Sequence, residues 1–252
     1  MQSSALMLLY HTRQLKDKID FAVFADTQCE PADVYEWLDK MKTRASSIPI
    51  IITTYGNLLE DEKRHAQGFT TVPLYYEDAE GNQGMGRRQC TGTYKIQAVY
   101  KAIRQELGYA KGKWMRHKVN CFMGISMDEM QRMKESQEKW VTNKFPLIEE
   151  IEWSRQDCID YMKDTYWGEP PRSACYICPY RTHKEWKEMK EKDPESFKKA
   201  CDWDDKMRDL KPDSKNYVYR GFTPLKEATF DEPVDDQIAF SFMDECDGMC
   251  GV

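Results

Sequence analysis

Apolar residues recur along the first half of this chain at two different periods, and the alternation between them predicts its architecture. In "MQSSALMLLYHTRQLK", Ala5, Leu8, Leu9 and Leu15 fall on one helical face, with Ser3 or Ser4 as the N-cap. The apolar run in "DFAVFADT" predicts a buried strand from Phe21 to Ala25. Pro31 suits a first helical position, and Val34, Trp37, Leu38 and Met41 follow at i, i+3, i+4 and i+7. "IPIIITTY" predicts a second buried strand over 50–54, a charged helix follows over 58–67, and "TTVPLYYED" reads as a third strand. Strands alternating with helices predict a parallel sheet covered on both faces.

The pattern then changes. "EGNQGMGRRQ", residues 80–89, is glycine-rich and predicts a flexible loop; its "GNQGMG" lacks the spacing of a dinucleotide fingerprint. Ile96, Val99, Tyr100, Ile103 and Leu107 form a helical stripe closed by Gly108, and "KVNCFMGIS" predicts a strand ending at Gly124. The last hundred residues carry helix signals instead: capping boxes at Ser154/Asp157 and Thr182/Glu185, and a helix opening at Asp193-Pro194. The expected organisation is an α/β domain over 1–150 and a helical, Cys-containing extension over 151–252 packed on it.

Charge and cysteine usage narrow the chemistry. The 252 residues carry a net charge of −6 with a pI near 5.4, which disfavours a general nucleic-acid or membrane-surface binder and leaves a local basic groove such as "KGKWMRHK" open. Nine Cys, an odd number, with no signal peptide and no apolar run of bilayer length, point to a cytoplasmic protein with no membrane partner. In a reducing compartment a Cys pair more often binds metal or does redox chemistry than staples a fold.

Four segments offer chemistry. Asp26-Thr27 ends a strand, where a carboxylate can accept from a sugar hydroxyl or a base amine, or simply cap a helix. "GISMDEMQR" sets Gly124 where backbone can approach a phosphate and supplies Arg132; alone, it is a strand-to-helix turn. Arg87, Arg88 and Lys95 surround Cys90 and suit a tetrahedral oxyanion, against the reading of a solvated loop. Cys175-x-x-Cys178 in "RSACYICPYRTH" suits tetrahedral zinc, an edge of an iron–sulfur cluster, or a redox pair. Cys90, Cys246 and Cys250, in polar glycine-containing sequence, are the leading candidates for its missing partners. His183 and Cys29 are weaker ones, while Cys121, Cys158 and Cys201 read as core thiols.

Taken in order, "MQSS", "FADTQCEPADVYEWLDKM", "RRQCTGTYKIQ", "GISMDEMQR" and "CYIC" resemble the phosphoadenosine-phosphosulfate (PAPS) reductase-like branch of the adenine nucleotide α-hydrolase superfamily, related to the N-type ATP pyrophosphatases. Gln28 stands where the family has Gly, Ser126 replaces an Arg, and one Cys of a C-C pair is missing beside Cys90. The resemblance implies a Rossmann-like parallel sheet between helices, with an N-terminal strand and phosphate loop of which only the final residues are seen here. It further implies an adenine nucleotide, ATP or PAPS-like, held by Ser3, Ser4, Asp26, Thr27, Arg87, Arg88, Lys95, Gly124 and Arg132.

The same likeness implies a [4Fe–4S] cluster, or zinc, on Cys90, Cys175, Cys178 and Cys246 or Cys250. The implied activity is adenylylation-linked sulfur transfer or sulfonucleotide chemistry, with a sulfur donor or thiol-reductant protein as partner and a nucleic-acid acceptor not indicated by the charge. Two rivals stand beside it: sulfonucleotide reduction with Cys246 as the catalytic nucleophile, since Glu245-Cys246 is similar to the start of an E-C-G-x-H ending, and a catalytically silent, zinc-stapled interaction module.

Overall fold

The computed structural model describes residues 1–16, 18–60 and 68–230. It is a mixed α/β fold in which small parallel sheets are flanked by helices. Helix α1 spans Gln2–His11 and strand β1 Ala22–Ala25; helix α2, Ala32–Arg44, begins after Pro31, and strand β2 is Ile50–Thr53. β1 and β2 pair in parallel, Ala22 opposite Ile50 through Ala25 opposite Thr53. A second parallel pair joins β5, Val119–Phe122, to β6, Val141–Lys144. Helix α3, Gln97–Glu106, shares one core with both pairs: Val23 and Ala25, Val141 and Met123, and Ala98, Val99, Ala102 and Ile103 are buried together.

A third sheet is separate from these pairs. Strand β3, Tyr75–Asp78, is central and antiparallel to both β4, Gln83–Met85, and β7, Ser214–Tyr217. The third strand expected from the sequence therefore exists, but it belongs outside the parallel layer. The glycine-rich run also differs from a flexible loop, because its middle, Gln83–Met85, is β4. The Asp78 carboxylate accepts from the backbone N–H of Glu80 and Asn82 and from the Asn82 amide, and Gly81 takes φ +82°, so turn chemistry closes a hairpin. A Cβ at Gly84 would lie 2.6 Å from the Tyr76 hydroxyl oxygen, so a larger residue there makes that exposed ring shift.

Three helices organise the later part: α4, Arg155–Lys163, α5, His183–Lys192, and α6, Pro194–Met207. Both expected capping boxes form, and the Asp193 carboxylate caps α6 by accepting from Ser196 N. At the other end of the chain the cap differs from expectation. Met1 holds the N-cap position of α1, Ser3 and Ser4 lie inside its first turn, and Leu15 follows the helix end. The stripe expected from Ile96 is preceded by one π-helical turn, Thr91–Ile96, which carries Lys95 into the protein. Of the charged helix expected over 58–67, Leu58–Glu60 is a 3-10 turn and residues 61–67 lie outside the described residues. No helix among the described residues is long and apolar enough to cross a membrane.

The C-terminal stretch is bound to the rest by apolar packing around Trp186, and buried polar bonds organise it internally. Asp204, 1% exposed, accepts from Val218 N at 2.7 Å and Leu225 N at 3.0 Å and pairs with Arg208. One carboxylate thus fixes α6, the end of β7 and the Leu225 turn together. Removing a partner from such a site strands the others without solvent. Asp204→Ala is expected to cost about 3–5 kcal/mol of stability, and Asp204→Asn less; urea unfolding of the purified variants measures both.

Candidate functional site

The chain leaves β1 into the segment that builds the site. Gln28 adopts φ 60°, a left-handed conformation more usual for Gly, and its N–H donates to the Asp26 carboxylate at 2.7 Å. That turn swings Thr27 inward to 1% exposure and sets Glu30 beside it just before Pro31 begins α2. The Thr27 hydroxyl donates to Glu30 Oε1 at 3.2 Å and lies 3.2 Å from Cys175 Sγ. The Cys175 thiol reaches the same Glu30 oxygen at 3.6 Å, and Lys95 Nζ stands 3.9 Å from it. Glu30 Oε2 is buried and has no hydrogen-bond partner.

Four side chains from three distant segments thus form one buried polar knot. Burial works against the Lys95 ammonium, but the Glu30 carboxylate outweighs it and raises its pKa, with Cys175, Cys90 and Cys178 adding to the effect when they are thiolates. Burial, reinforced by Glu30, pushes the Cys175 thiol well above its ordinary value, so it keeps its proton. The knuckle itself is held by Arg181, 6% exposed, which donates to the carbonyls of Ala174 at 2.7 Å and Cys175 at 3.1 Å. Cys178 N closes the turn onto Cys175 O at 3.0 Å.

The knot forms part of the wall of a cavity of about 790 Å³. Nine residues singled out in the sequence line it: Ser3, Thr27, Arg88, Cys90, Lys95, Gly124, Arg132, Cys175 and Cys178. Three others do not. The Ser4 hydroxyl accepts from the Trp37 indole at 3.0 Å, Asp26 is taken up by Tyr35 at 2.8 Å and by its own turn, and Arg87 is exposed outside the wall. Cys246 and Cys250 lie outside the described residues.

Arg88 stacks on the Tyr180 ring at 4.7 Å, and the nearby Cys90, Cys178 and Tyr180 raise its pKa against the opposing effect of burial. Across the cavity Arg132 donates to Glu129 at 2.7 Å, and the Gln2 amide donates to the other Glu129 oxygen at 3.0 Å. Gly124 packs against the first turn of α1, where a Cβ would lie 2.7 Å from Ser3 N. Arg155 and Arg172 complete the cationic lining, Arg172 paired with Glu185. Sequence reading missed Glu30, Arg155 and Arg172; the position of Arg172, three residues before Cys175, was the available signal for one of them.

The cysteines divide by environment. Burial pushes Cys29 and Cys158 to about 12 and Cys121 and Cys201 to about 11, as expected of inert core thiols and with Cys29 now among them. His183 is occupied by the Tyr219 hydroxyl at 3.2 Å. Cys90, Cys175 and Cys178 share the cavity wall and supply the soft donors that zinc or an iron–sulfur cluster prefers. Among the described residues, however, no three His, Cys, Asp or Glu side chains converge closely enough to hold a metal ion. The "KGKWMRHK" loop sits away from this cavity, with Trp114 81% exposed.

No family model, curated protein or solved structure matches this chain.

The knot makes a direct stability test. Lys95→Met leaves a buried carboxylate without its ion-pair partner and is expected to cost about 3–5 kcal/mol. Adding Glu30→Gln to that variant recovers most of the loss, read as the midpoint of urea unfolding.

Proposed function

We propose that this chain is a PAPS reductase-like enzyme of the adenine nucleotide α-hydrolase superfamily, with a Rossmann-like nucleotide fold. It binds an adenine nucleotide bearing phosphate or sulfate, for sulfur-transfer or sulfonucleotide chemistry. The observation that carries this reading is the convergence of five separated segments on one cavity: the start of α1, the ends of β1 and β5, the Arg88–Lys95 turn and the Cys175–Cys178 knuckle. Their order along the chain is the order in which they resemble the family.

The lining suits an anionic ligand of that size. The head of α1 lines the cavity with Gln2 and Ser3, and the positive end of a helix is a favourable environment for phosphate oxygens. Arg88, Arg132, Arg155 and Arg172 supply guanidinium forks around it. Glu129 holds the Arg132 fork in place before any ligand arrives. Thr27, already bonded to Glu30 and Cys175, shapes the wall between the nucleotide end and the thiol end.

Cys90, Cys175 and Cys178 would hold the cluster or zinc, whose role when bound is to place positive charge or a sulfur carrier beside the anion. Lys95, Arg88 and Arg181 are cations among the described residues that face those thiols and balance their charge when they ionise. Proton release from Cys175 requires it to leave Glu30 and Thr27, so metal loading is coupled to rearrangement of the knot.

Calorimetric titration with ATP and with an adenylyl sulfonucleotide tests the nucleotide reading. Binding is expected to weaken by about 10-fold or more in Arg88→Ala and Arg132→Ala, from the loss of a charge-assisted hydrogen bond. A wild-type chain that binds neither ligand at millimolar concentration overturns it. Anaerobic purification followed by iron, sulfide and zinc analysis tests the metal: Cys175→Ser is expected to lose most of the bound metal, and zinc without iron removes the cluster assignment.

A further inference from the structure

The loop between α3 and β5 carries a surface that the large cavity does not use. Residues 107–127 contain no Asp or Glu, in a chain that has 43 of them, and "KGKWMRHK" within that stretch holds Lys111, Lys113, Arg116 and Lys118. Amid these cations Trp114 is 81% exposed, while its neighbour Met115 is buried in the core that α3 shares with the parallel strands. One residue pins the loop and the next holds an indole out in water. A single exposed aromatic is ordinary on a protein surface. What sets this one apart is the built loop beneath it and the one-signed charge around it.

Side chains from both ends of the loop fix its backbone. Arg104 of α3 donates to the carbonyl oxygens of Lys113 at 2.5 Å and Ala110 at 3.3 Å, and its guanidinium lies 5.9 Å from the centre of the Tyr109 ring. The Tyr109 hydroxyl accepts from Arg116 N at 3.3 Å and meets His117 Nδ1 at 2.7 Å. Gly112 turns the chain at φ +80°, a conformation that costs a glycine little. Lys118 donates to the carbonyl of Lys139, just ahead of β6. Trp114 therefore stands on a preformed platform, and less order has to be imposed when a ligand arrives.

The charge on that platform is left open. Among the described residues, Lys111, Lys113 and Arg116 make no salt bridge. Two carboxylates of neighbouring segments are occupied elsewhere. Asp20, which shares a cavity wall with His117 and Lys118, pairs with Lys18 at 2.9 Å, and Glu138 accepts from the Trp140 indole at 2.8 Å.

We propose that this platform binds single-stranded nucleic acid, with an unpaired base stacked on Trp114 and the flanking phosphates on Lys111, Lys113 and Arg116. Cations alone would accept any polyanion; the indole is what selects. A duplex keeps its base faces inside the stack, so an exposed ring meets only a base that is unpaired. An anionic membrane is held by a wider apolar face than one ring offers. The net charge of −6 repels nucleic acid from the rest of the molecule, which confines binding to this acid-free stretch. The platform leads into the start of β5, whereas Gly124, beyond the other end of that strand, lines the larger cavity, so the inference does not depend on the nucleotide reading.

Fluorescence anisotropy with labelled oligo-dT and oligo-U of about 12 nucleotides tests the proposal, and the tighter of the two identifies the kind of strand. Trp114→Ala is expected to weaken binding by about 10-fold or more, and Trp114→Phe, which keeps a ring to stack on, by much less. Replacing Lys111, Lys113 and Arg116 together by Gln is expected to reduce the slope of log affinity against log salt by about 2. All four residues are exposed, and thermal unfolding is expected to be unchanged in these variants. A wild-type chain that binds neither probe in low salt, or Trp114→Ala binding as tightly as wild type, overturns the proposal. So does equal affinity for a duplex of the same length, or displacement of the bound strand by phosphatidylserine vesicles.

Discussion

The Glu30 carboxylate governs the arrangement of this molecule around its cavity. It is a charge taken out of water, and it is tolerable only because Lys95, Thr27 and Cys175 turn toward it. Each of those three comes from a different part of the chain: Thr27 from the end of β1, Lys95 from a π-helical turn, Cys175 from the knuckle ahead of α5. The carboxylate therefore selects one docking of the C-terminal stretch against the parallel strands, where apolar packing alone would accept several. The remaining bare oxygen, Oε2, shows that the selection is incomplete within these residues.

That constraint explains the electrostatic character of the cavity on an acidic protein. The net charge of −6 is spread over the surface, while Arg88, Lys95, Arg132, Arg155 and Arg172 are gathered on one concave wall. Glu30, Glu129 and Glu185 each pair with one of these cations, and Glu169 and Glu188 also line the wall, so the acids reduce this field while holding its sources in place. A low-dielectric wall concentrates such a field toward the opening.

Strong periodicity made the first third of the molecule legible. The strands near Ala22 and Ile50 and the amphipathic helix between them lie within a residue or two of where the apolar pattern set them, although the second strand is not buried as expected: none of its residues is fully covered and Ile52 is 47% exposed. The caps at Ser154, Thr182 and Asp193 were legible for a local reason: each bond is made within three residues. β6 and β7, "VTNK" and "SKNY", were not, since polar edge strands owe their form to their neighbours. The site divided in the same way. Residues flanked by turn signals, such as Thr27, Gly124 and Cys175, were found. Ser4, Asp26 and Arg87 were placed in the site on sequence position alone, and side-chain direction separates them from it. Glu30 carried no distinguishing pattern, because its role comes from a lysine 65 positions away.

The contact between Gly124 and the first turn of α1 has a mechanical meaning. With no side chain between Gly124 and Ser3, the end of β5 and the head of the helix meet backbone against backbone. Side-chain rotamers can absorb a shift of an ångström elsewhere in the cavity, but here only the short Ser3 hydroxyl can turn. The width of the cavity at that point is fixed by covalent geometry, and any movement of the helix head is passed undamped to the loop that carries Glu129 and Arg132.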